Sequence, residues 1–317
     1  MKAGLAAAVA LATGCALAGP ALAAPKLIIR HAAMNIVVQP EDRTDIEVDV
    51  YRPNARLPLR VGREGADTVI DGDLPSFFTN CHGGGSGLHA YVLGRGDFSI
   101  SQMPQVLVRV PVDAVVESSG IVHGAVARSQ SLTLGVSGCG DWTVANVAGQ
   151  LNAGLSGVGD LRAGSSKAAQ VSLSGTGHLT IGDVQTQLVA HLSGSGSVTT
   201  RAAGAADIAI SGSGGLTTGP VAGPLSVHVS GAGGLRTASV EGPVTVDISG
   251  VGSVKIAAGH APSMSAAVSG TGAVDFRGVA DTLDARVSGV GSVDVARVTG
   301  AVSQHVSGVG SVHVDGH

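Results

Sequence analysis

The chain has 317 residues and a formal net charge of -4, with only 13% of its residues charged. That charge cannot supply the basic footprint that nucleic acid or an anionic lipid surface requires, so nucleic acid is not an expected partner. Forty-nine glycines would suit a low-complexity chain, but regular aliphatic alternation around them gives the chain a core to bury and marks it as folded, in one long domain or two.

The first 23 residues combine a lysine, an apolar run and a small-residue site at Ala21-Leu22-Ala23. They read as a secretory signal peptide cut before Ala24, to be set aside from the fold. Cys15 offers the alternative of a lipoprotein anchor, but the apolar run before it is short and the segment after it is still apolar rather than a polar tether. Beyond the leader no run reaches the roughly 20 apolar residues of a spanning helix, so no transmembrane segment is expected in the mature chain.

Residues 24–130 read as an irregular β-rich region, with strand-like runs at 27–30, 35–39, 45–51, 67–71 and 105–112. Between them, residues 72–104 form a Gly-rich insert holding Phe77, Phe78, Tyr91 and Phe98. Four aromatics in one insert of a chain with 2% aromatics are a concentration. They suit either a hydrophobic plug at the end of the molecule or a ligand-facing surface. The insert also carries Cys81, His82 and His89, which are metal-ligand types at no recognised zinc spacing, so a solvated loop is the plainer reading. Export places Cys81 and Cys139 in an oxidising compartment, where they are expected to pair and clamp the insert onto the first repeat.

From residue 131 to 317 the chain repeats itself. The serine of an S-G-x-G core recurs at positions 137, 156, 174, 193, 211, 230, 249, 269, 288 and 307, in steps of 18 to 20 residues. One place before it stands an aliphatic residue in every copy, from Val136 to Val306, and five places after it another apolar residue, from Trp142 to Val312. Inward positions on both sides of a glycine corner describe two short strands per repeat, and a fixed period near 19 describes a solenoid whose repeats bury their apolar faces against one another. The fold expected is therefore all-β, a right-handed parallel β-helix of ten S-G-x-G coils about 48 Å long at about 4.8 Å per coil. The corner glycines are expected to take positive φ and to let successive backbones approach closely.

The outward rows carry few chemical groups. Asp275 and Asp294 stand one coil apart, at a spacing that a retaining glycosidase pair could use, but Arg236 and Lys255 precede them in the same row and a charge ladder explains all four. Asp141 and Asp160 follow S-G-x-G directly without the rest of a calcium-binding nonapeptide, and His191, His228 and His305 share a row without being on adjacent coils. No metal and no cofactor is expected. The sequence stops at VSGVGSVHVDGH, and the last coil, with Val312, His313 and Val314, reads as an end that could pair with a second subunit.

A strand-rich lead, then QVLVRVPVDAVVESSGIVHG, then coils such as LSGVGDLRA and ISGVGSVKI resemble the GIN-domain family of bacterial envelope proteins, the head domains of auto-transporter adhesins. The resemblance covers roughly Leu27 to Val314 and implies a β-helix exposed to the periplasm or the outside. It brings no catalytic residues. Its auto-transporter label is not matched by a C-terminal membrane barrel, and the aromatic insert is no part of its motif. The expected function is a non-enzymatic exported envelope protein, structural or adhesin-like, that holds an envelope glycan or protein; the alternative is a β-helix enzyme acting on polysaccharide.

Overall fold

A computed structural model describes residues 24–74, 80–82, 89–92 and 94–316, with side chains left undescribed at residues 80–82, 89 and 90. The chain is a parallel β-solenoid with about 11 turns of about 19 residues. Each coil is named below by its serine. In the Ser249 coil, Val251–Ile256, Gly259–Ala261 and Met264–Val268 form three short walls. The same positions pair in parallel with the next coil, as in Val254↔Val274 and Met264↔Leu283.

The two apolar columns legible in the sequence are the core. Val136, Leu155, Ile248 and Val287 on one side of the corner, and Leu161, Leu216, Val254 and Val293 on the other, are all buried. Six inward positions recur in a full coil, for example Leu179, Ile181, Val184, Leu188, Ala190 and Leu192. Burying such side chains contributes roughly 1.5–3 kcal/mol each against the entropy of ordering the chain. Val306 is 42% exposed, because no described coil stacks on it.

Glycine in the corners is required mainly by contact. A Cβ at Gly175 would overlap the carbonyl oxygen of Gly157, one at Gly194 that of Gly175, and the same clash repeats down to Gly308. Positive φ, expected throughout, occurs among the S-G-x-G glycines only at Gly140 (φ 138°) and Gly159 (φ 149°). Close approach of successive backbones, not left-handed geometry, explains the rest. Trp142 shows the same logic in the core: its ring takes a place that is Leu or Val in the other coils, and Gly124 in the preceding coil leaves the space, since a Cβ there would overlap the ring.

Parallel stacking continues across residue 130. The strand Asp113–Val126 pairs with Ser131–Val136 and Trp142–Val144 on one side and with Lys26–Glu41 on the other. Lys26–Glu41 pairs in turn with Asp67–Asp71 and Gln105–Pro111. There the parallel order ends, because Arg60–Glu64 and Glu47–Arg52 add to these last two strands antiparallel. Their charged side chains blunt the outer edge against further strand pairing. Arg43 bridges Asp45 at 3.0 Å and Glu47 at 3.1 Å, and Arg30 bridges Asp71 at 2.9 Å and Glu64 at 2.7 Å. The Asp73 backbone N–H, and then Arg30, hold the Asp71 carboxyl below its ordinary range.

Candidate functional site

The insert is the one large departure from the repeat. Asn80–His82, His89–Val92 and Gly96–Ser99 make a separate antiparallel sheet, with Tyr91 opposite Asp97 and Ala90 opposite Phe98. Period-two alternation separates its residues. Val92 and Phe98 are buried with Leu57, Leu74, Met103 and Ile121, whereas Tyr91 is 43% exposed. The Arg56 guanidinium lies over the Phe98 ring, 4.8 Å from its centre. The loop is tied down further by the Asn54 side chain donating to the Gln102 carbonyl at 2.7 Å and by Arg95 donating to the Asp73 carbonyl at 3.0 Å.

Phe98 is therefore a packing residue, closed to a ligand, and Tyr91 is the aromatic that faces outward. Phe77 and Phe78 lie outside the described residues. Sequence reasoning passed over Tyr51, whose ring is 53% exposed at the end of Glu47–Arg52, just before the Asn54–Leu57 turn that holds the insert. Ile121, in the buried cluster beneath the insert, pairs directly with Cys139. The insert thus sits over the corner that carries this cysteine.

Many of the charged groups along the rod meet one another. Arg277 holds Asp275 through contacts of 2.6 and 3.3 Å, its own pKa is raised by that carboxylate, and Asp294 accepts from Ser292 at 2.9 Å. Asp275 pairs in register with Asp294 above and Lys255 below, which is the charge ladder. Asp141 is buried and accepts the Asp160 N–H at 3.1 Å; Asp160 accepts from Arg162 at 2.8 Å and meets His178 at 3.1 Å. His228 meets Asp247 at 3.2 Å, and His260 meets Asp281 at 2.9 Å. The His260 contact is the leading cause holding the Asp281 carboxyl below its ordinary range. Inter-coil His–Asp pairs were legible once the coils are aligned, since Asp160 and His178 both stand four places after their serines.

His191 and His305 are exposed. Val312 and Val314 are half-buried and His313 is exposed, within 2.9 Å of Asp315. Among the described residues no group of three or more His, Cys, Asp or Glu side chains is placed to hold a metal ion. The side chains of Cys81, His82 and His89 lie outside that description. A shallow groove of about 550 Å³ runs along the corner past Asp160, Thr176, His178, Ser195, Ser197 and Ser213.

The fold is a β-solenoid carrying a separate antiparallel insert with Tyr91 exposed. Residues 95–219 match the family model described as "Putative auto-transporter adhesin, head GIN domain", the family that the S-G-x-G coils resemble. The match begins in the last strand region of the insert and ends within the Ser211 coil; the later coils continue the same pattern. No curated protein matches the chain. A solved structure described as a putative adhesin from Bacteroides fragilis NCTC 9343 is 12% identical over 92% of each chain, with a TM-score of 0.24, too low to carry an argument. Among the described residues no helix is long and apolar enough to cross a membrane.

Proposed function

We propose that the protein is an exported, non-enzymatic envelope protein that holds a surface glycan or protein through the insert, with the solenoid as its rigid stalk. The observation that supports this most is Tyr91: an aromatic ring left in water on a sheet whose neighbouring residues Val92 and Phe98 are buried. Aromatic rings supply large contact area at low entropic cost, and loops on a rigid scaffold are where binding residues concentrate. The adhesin description of the matched family agrees with this role. In a panel of immobilised envelope polysaccharides and outer-surface proteins, the mature chain should be retained by at least one and should release no cleaved product. Tyr91→Ala should weaken that retention about tenfold, as loss of an interface anchor does. Cleavage of a polysaccharide would instead favour the enzyme reading. Retention unchanged in Tyr91→Ala with the fold intact would remove the insert from the role.

The disulfide between Cys81 and Cys139 is part of this reading. Cys139 pairs through its backbone with Ile121 beneath the insert, Cys81 stands in the sheet packed over that corner, and the only other cysteine, Cys15, falls in the predicted leader. Such a bridge fastens the insert to the first coil and limits its unfolded states. A non-reduced digest of the exported protein should yield the linked Cys81 and Cys139 peptides; free thiols at both positions would refute the pairing.

A further inference from the structure

Two separate irregularities meet on three successive coils. In the coils named by Ser156, Ser174, Ser249, Ser269, Ser288 and Ser307, the strand after the corner begins two residues past the serine, at Val158, Thr176, Val251, Thr271, Val290 and Val309. In the Ser193, Ser211 and Ser230 coils it begins only at Ser197, Gly215 and Gly234, and in the first coil, that of Ser137, only at Trp142. The sequence supplies the cause. The second position is Val or Thr where the strand reaches into the corner, and Cys139, Ser195, Ser213 and Ala232 where it does not. β-branched residues favour extended backbone, and the added Gly215 and Gly234 disfavour it. The corners keep individual backbone bonds to the preceding coil, such as Ser213 N–H to the Gly194 carbonyl at 3.1 Å and Gly215 N–H to the Gly196 carbonyl at 3.3 Å, while the regular strand pairing starts later.

The second irregularity lies inside. Seven places after the serine the core position is Val144, Ala163 and Ile181 in earlier coils and Ile256, Phe276 and Val295 in later ones, but Thr200, Thr218 and Thr237 in these three. All three threonines are at most 3% exposed, they stack in register, and none of their hydroxyls has a hydrogen-bond partner. Ser129 and Ser166 are also buried without partners, but they are single and do not coincide with shortened corners. A buried hydroxyl without a partner weakens the folded state, and a shortened corner removes ladder from the same coil.

In a solenoid, stability is a sum of coil and nearest-neighbour terms, so three weak coils in succession localise opening. We infer that the Ser193, Ser211 and Ser230 coils are a soft segment built into the middle of the rod, where it opens and bends between two firmer stacks. The device is independent of what the insert binds, and its test uses the mature chain without any ligand.

Hydrogen exchange of the mature chain followed by mass spectrometry reads this directly. Peptides from 196–241 should exchange about tenfold faster than those from 158–181 and 251–280, a minimum of protection away from either end. The triple variant Thr200→Val, Thr218→Val, Thr237→Val should slow exchange in 196–241 and leave the flanking coils as they were. Protection in 196–241 that equals or exceeds the flanks overturns the proposal. So does a folded triple variant with an unchanged exchange pattern. Should the triple variant fail to fold, Ser213→Val with Ala232→Val, which alters only the corners, is expected to slow exchange in the same segment, and failure to do so counts equally against it.

Discussion

Replacing Gly175 by alanine is expected to lower the stability of the protein by about 3 kcal/mol, the upper end of the usual cost of overpacking. The added Cβ would occupy the position of the Gly157 carbonyl oxygen and would also crowd the Ser156 backbone. Neither is a flexible side-chain tip that can swing away, so the two coils must separate and lose ladder bonds on both sides. Gly175 has no positive φ, which leaves the clash as the cause. Gly135→Ala is the matched control: it stands in Ser131–Val136 with nothing within 4 Å of the new Cβ. There alanine should be neutral or stabilise by up to about 1 kcal/mol, by restricting the unfolded chain. Denaturant unfolding midpoints separate the two variants, and equal midpoints would show that the corner glycines are not there for close approach.

The same comparison shows where the residues were readable and where they were not. A column that is aliphatic in every copy admits one reading, and Val136, Leu155 and their equivalents are buried as that column requires. Parallel register follows from the period, because only a coil-to-coil match keeps Val254 over Leu235 and under Val274. The reason for glycine was only half readable: one residue letter serves both close approach and positive φ, and the choice depends on the neighbouring backbone. Threonine at positions 200 and 218 was opaque for a related cause. Thr199 and Thr217, one residue earlier, face water, and a Thr-Thr pair does not announce which member turns inward until the column is followed through Ile181 and Ile256. In the insert, alternation sets Tyr91 apart from Val92, but nothing in the sequence says which face meets the rod. That depends on Leu57, Ile121 and Arg56, which are distant in sequence.

Interchangeability of coils is the consequence with the largest expected effect. If each coil is a complete unit, removing Ser269–Val287 joins Val268 to Ser288 at the point where one corner gives way to the next. The new neighbours then match: Val254 meets Val293, Ile256 meets Val295, and Lys255 meets Asp294 in place of Asp275. All the inward positions of the joined coils remain apolar, and the glycine corners remain stacked. Removing only residues 269–278 deletes a corner and the inward pair Val274 and Phe276, and sends every later residue to a different wall. Because register errors turn buried faces outward, that deletion is expected to lose all cooperative unfolding beyond the join.

The measurement is the unfolding transition and the length of the two deletion variants beside the parent. The 19-residue deletion should keep a single cooperative thermal transition within about 1 to 2 kcal/mol of the parent, as expected from losing one unit of a repeat array, and should shorten the rod by about 5 Å in small-angle scattering. The ten-residue deletion should lose the folded signal of the coils beyond its join, as hydrogen exchange of peptides from 279–316 would show. A 19-residue deletion that unfolds as badly as the ten-residue one would contradict the stacked-coil account.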